Sequence, residues 1–124
     1  MSQPLVIFLS GDDWAARHQA VMVAVTAASL GDQVTLVLAH RPLQALLQGR
    51  FDEGAPPAAA GAGIPPLLET LGEARRELGL RLVACETTVR LAGLEVEVAR
   101  AALDELEPLT SQLRRVQAGR ALAF

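Results

Sequence analysis

Three apolar runs set the frame of this chain. Leu5-Val6-Ile7-Phe8-Leu9 is unbroken, Gln33 to Ala39 reads QVTLVLA, and Leu80-Arg81-Leu82-Val83-Ala84 is a shorter third. Continuous rather than alternating hydrophobicity is the mark of strands covered on both faces, as in a parallel sheet. The stretches between them carry helical spacing. Trp14 to Leu30 is apolar nearly all round, with Trp14, His18, Val21, Met22, Val25 and Ser29 on one stripe and Ala16, Ala20, Val23, Ala24 and Ala27 filling much of the rest. A helix of that kind is buried on more than one side, and in a small domain the second side predicts another subunit. Ser10 or Asp12 is placed to cap it, and Gly31 to end it. Pro42 fits the first turn of a short helix through Leu47.

Further along, Leu67, Leu71, Ala74 and Leu78 form the stripe of a helix that stops at Gly79. A short helix from Thr87 to Leu91 closes at Gly93. The segment Leu94 to Glu107 is ambiguous: Glu95-Val96-Glu97-Val98 alternates like a strand, while Val96, Ala99, Leu103 and Leu106 fit a helix. A last helix, about Pro108 to Ala118, is expected to turn Leu109, Leu113 and Val116 inward. Arg120 to Phe124 is expected to be a final strand. Strands alternating with helices predict an α/β fold, a three-layer sandwich around a mostly parallel sheet of about five strands.

The 124 residues correspond to one domain, 1–124, with a hydrophobic fraction of 51% that suffices for a core. Gly54 to Pro66 (GAPPAAAGAGIPP) is expected to be a flexible internal loop. A net charge of −3, no Lys, and arginines that form no block larger than the pairs Arg75-Arg76 and Arg114-Arg115 argue against direct nucleic-acid binding. The longest apolar run, Ala20 to Leu30, is broken by Thr26 and Ser29. It falls short of the roughly 20 residues a membrane span needs. With no visible signal peptide, the expected location is cytoplasmic.

Cys85 is the only cysteine. It stands at the end of the third strand, directly before a helix, where the helix N-terminus favours a thiolate. Ligands of open α/β sheets collect beyond the carboxyl ends of the strands. Those ends supply Ser10-Gly11-Asp12, His40 and Cys85, so Asp12 and His40 are the candidate partners of the thiol. Glu86 works against it, because its charge opposes a thiolate. His18, in mid-helix, reads as a core or interface residue. There is no CxxC pair, Walker loop, GxGxxG pattern or nucleophile elbow, and no cofactor or metal is expected.

The run Ala84-Cys85-Glu86-Thr87-Thr88-Val89-Arg90-Leu91-Ala92-Gly93-Leu94 resembles the motif of the DsrE/DsrF-like family, a strand ending in Ala-Cys before a short helix and a Leu/Gly/Leu-type turn. The long Ala-rich first helix, the Gly/Pro-rich loop and the final strand ending in Phe are similar as well. The resemblance implies a small α/β sandwich assembled as a trimer or hexamer. It also implies sulfur carried as a persulfide on Cys85, in a relay between donor and acceptor proteins. Only Cys85 is carried over from the motif; His40 and Asp12 rest on the strand-end argument. Two other functions remain open, a non-catalytic oligomeric binding protein and a one-cysteine peroxiredoxin-like thiol protein.

Overall fold

The computed structural model describes residues 3–124. The three apolar runs become β1 (Pro4–Leu9), β2 (Gln33–Leu38) and β3 (Arg81–Ala84). Two further strands, β4 (Glu105–Leu106) and β5 (Arg120–Ala123), complete a sheet of order β4-β3-β2-β1-β5 in which every pair is parallel.

Right-handed crossovers decide where the helices go. From β1 to β4 the chain steps across the sheet in one direction. Its connecting helices α1 (Trp14–Ser29), α2 (His40–Leu47), α4 (Leu67–Glu77), α5 (Glu86–Leu91) and α6 (Val96–Ala102) therefore share one face, joined by a single core that includes Ile7, Leu36, Leu82, Val21, Leu43, Leu71 and Val89. The return from β4 to β5 runs the other way. Its helix, α7 (Leu109–Ala118), lies alone on the opposite face, where Val6, Val37 and Val83 pack with Phe8 and Val116. The result is a three-layer α/β sandwich with one thick and one thin outer layer. Among the described residues, no helix is long and apolar enough to cross a membrane.

The helix faces differ from the sequence reading. The buried side of α1 is Arg17, Ala20, Val21, Ala24 and Ala28. Small residues bring this helix close to the sheet, and Trp14 and His18 stack beside it with ring centroids 4.7 Å apart. In α7 the expected inward stripe is turned over. Gln112 is buried, while Leu109 and Leu113 are 56% and 47% exposed. Only Val116 of that stripe packs on the sheet.

Within Gly54 to Pro66, expected to be a loop, lies the short helix α3 (Pro57–Gly61), started by Pro57 and seated by the buried Ala59. The ambiguous 94–107 segment is both things in turn, α6 and then β4. The turn before α3, residues 51–53, is tied down at three points. The Phe51 side chain is fully buried, Asp52 accepts the N–H groups of Leu67 and Leu68 at the start of α4, and the Phe51 and Glu53 carbonyls accept from Arg17. Pro66 offers α4 no side-chain cap, so the distant Asp52 takes that role.

Asp104 locks β4 to β3. It accepts the Leu82 N–H at 2.7 Å and a two-pronged contact from Arg75 at 3.0 and 3.1 Å. Partial burial pushes its carboxyl up. The Arg75 hydrogen bond, the Leu82 N–H and the charges of Arg75 and Arg81 outweigh that and hold it below its ordinary value. A carboxyl lowered on folding stabilises fully above its unfolded pKa, about 3.9 for Asp. That contribution is lost as pH falls through the lower folded value. Denaturant midpoints measured from pH 6 downward should therefore drop in acid, and Asp104→Asn should flatten part of that drop while lowering the plateau.

Candidate functional site

The sheet order places the ends of β3, β2 and β1 side by side, as the strand-end argument requires. Their side chains nevertheless part into two separate cavities.

The first belongs to Cys85. Its extended backbone (φ −91°, ψ 147°) makes it the N-cap of α5, and Sγ accepts the Thr88 N–H at 3.3 Å. The Thr88 hydroxyl is 2.8 Å from the same sulfur. A thiolate there would take hydrogen bonds from both groups; a thiol can donate to the hydroxyl. Cys85 is partly exposed and lines a cavity of about 530 Å³ whose walls include Arg100, Leu106, Glu107 and Leu109. Glu86 does not stand alone beside it. Its carboxylate lies 3.5 Å from Arg90 and 3.8 Å from Arg100, which offset its charge. Glu107, at the end of the neighbouring strand, is only 3% exposed and lies between Arg81 and Arg115. Its hydrogen bond and charge raise the Arg115 pKa despite partial burial of that side chain.

His40 and Asp12 do not join this cavity. His40 opens α2 with a left-handed φ of 57°, which turns the chain sharply out of β2. It is exposed and has no hydrogen-bond or ion-pair partner among the described residues. Asp12 is two strands from Cys85, roughly 10 Å at the usual spacing. It lines a second cleft together with Trp14, Arg17 and Arg41. Neither Ser10 nor Asp12 caps α1; Asp13 does, accepting the Ala16 N–H at 2.8 Å.

Thr88, Arg100 and Arg17 were not singled out from the sequence, though two of them left a signal there. Cys85 and Thr88 are three apart, the spacing of a cap and the N–H it receives. Arg17 is in phase with Ala20, Ala24 and Ala28, so a charge rides on the small-residue face of α1. Arg100 comes to Cys85 only through the packing of α6 beside α5, which no local pattern announces.

The fold and site thus define a small α/β protein with a parallel five-stranded sheet and a helix-capping cysteine at its carboxyl edge. No family model and no curated protein matches this chain. Among solved structures it is similar to MTH1491 from Methanobacterium thermoautotrophicum, a protein of unknown function. The identity is 15% and the TM-score 0.61, over 99% of this chain and 100% of that one. A likeness at that identity shows the shared fold and carries no chemistry with it.

Proposed function

We propose that this chain is a cytoplasmic sulfur carrier that holds sulfane sulfur as a persulfide on Cys85. The observation that carries the reading is the placement of Sγ. Cys85 is partly exposed and lines a cavity at the carboxyl edge of the sheet, and an N–H and a hydroxyl of Thr88 are both within reach of Sγ. Two donors at one sulfur suit an anion, the form that attacks. The resemblance of residues 84–94 to the DsrE/DsrF-like motif supports the same reading.

In the loading step the Cys85 thiolate attacks the outer sulfur of a donor persulfide. A new S–S bond forms at Sγ, the donor's S–S bond breaks, and its electron pair leaves on the donor thiolate. An acceptor thiolate then attacks the outer sulfur and Cys85 departs as a thiolate. No net oxidation occurs across the two steps. A chain with one cysteine cannot close an internal disulfide that would expel the sulfur. Exposed Leu109, on the cavity wall, and exposed Leu113, four residues on in α7, fit docking by donor and acceptor proteins or by further copies in a trimer or hexamer.

The test is intact-protein mass spectrometry after incubation with a small persulfide donor. Wild type should gain one sulfur atom that thiol reductant removes. Cys85→Ser should gain none, and Thr88→Val should load more slowly. Wild type that takes up no more sulfur than Cys85→Ser sinks the proposal.

A further inference from the structure

The second strand-end cleft is built around Arg17, and its hydrogen bonding is incomplete. Arg17 is 5% exposed. Its guanidinium donates one N–H from each nitrogen to a carbonyl: Nε to Phe51 at 2.9 Å, Nη1 to Asp12 at 3.1 Å, and Nη2 to Glu53. A guanidinium has five N–H groups, so one remains on Nη1 and one on Nη2. Spare N–H groups on both terminal nitrogens can receive the oxygens of a carboxylate or phosphate. Carbonyls satisfy hydrogen bonds without cancelling charge, and Arg17 has no carboxylate partner among the described residues.

The cleft beside it measures about 370 Å³, at the lower end of the range of small-molecule sites. Arg41 contributes a second guanidinium, exposed and without a partner among the described residues. The acidic groups there are mostly engaged. Asp13 caps α1, and Glu53 lies 3.6 Å from Arg50. Asp12 alone is left, against the spare donors of two arginines.

We propose that this cleft binds a small molecule through an oxyanion group, a phosphate or a carboxylate, held by the spare N–H groups of Arg17 and by Arg41. The assignment is independent of the sulfur chemistry at Cys85, which lines a different cavity.

Trp14 lines the same cleft and is the only tryptophan, so its fluorescence reports on that site alone. Arg17 braces the fold, so the diagnostic variant is Arg41→Ala, whose side chain holds nothing else. The protein is titrated with inorganic phosphate in one arm and succinate in the other, both at ionic strength held constant with sodium chloride. The expected result is a saturable fluorescence change at millimolar concentration, weakened about tenfold in Arg41→Ala and unchanged in Cys85→Ser. Saturation by phosphate alone identifies a phosphorylated ligand, and by succinate alone a carboxylic acid. No saturable change in either arm, or one that Arg41→Ala reproduces in full, overturns the proposal.

Discussion

Gly119→Ala should cost about 3 kcal/mol of stability, at the upper end for an overpacked site. Gly119 is the turn between α7 and β5. A Cβ built on it would stand 1.9 Å from the carbonyl oxygen of Pro4 and 2.8 Å from the Pro4 carbonyl carbon. Both are backbone atoms at the start of β1, so no side-chain rotation relieves the overlap. The chain must instead pull β5 away from β1, and the parallel pairs Leu5 with Arg120 through Phe8 with Ala123 are the first to go. Urea unfolding should show the loss, and hydrogen exchange should find it concentrated in residues 120–123. Gly61→Ala is the control. It sits in α3 with nothing within 4 Å of its built Cβ, and should be neutral or slightly stabilising. Equal stability of the two variants would refute the packing argument.

Arg17→Met should be comparably damaging for a different reason. The substitution keeps much of the side-chain volume but leaves the carbonyls of Asp12, Phe51 and Glu53 without their shared donor. Each buried group so orphaned costs about 1–3 kcal/mol, less where water reaches it. Phe51 also loses the guanidinium 5.9 Å from its ring centroid. We expect a total near 3 kcal/mol and a fall in Tm of about 10 °C for a chain of this size. Because Asp52 holds the start of α4, loosening of the 51–53 turn should reach α4, visible as faster exchange at Leu67 and Leu68. A Tm within a degree or two of wild type would mean the turn stands without Arg17.

The central strands were legible because burial on both faces leaves an unmistakable run of apolar residues, and parallel pairing followed from the helices between them. Helix orientation was less legible. Periodicity shows which stripe of a helix is apolar but not what that stripe faces. In α7 the stripe of Leu109 and Leu113 faces outward, and the sheet receives Gln112 and Val116 instead. The site was legible in part for a similar reason. Strand order brings Asp12, His40 and Cys85 to one edge, but each strand end turns into its own helix and carries its side chain with it. Thr88, three residues from Cys85, is a local neighbour, and local spacing is what sequence preserves best.

The pairing of β1 with β5 has a consequence for biosynthesis. β1 is the most continuously apolar strand and is made first, yet the neighbour that covers its outer side, Arg120–Ala123, comes after every other strand. Until those residues are made, a nascent chain with β1 to β4 assembled presents a bare hydrophobic edge, ready to recruit another chain. Closing the sheet also demands pairing residues some 115 positions apart in sequence, Leu5 with Arg120, which is slow to form. Aggregation during synthesis should therefore respond to β5 variants far more strongly than the modest burial of that strand would suggest.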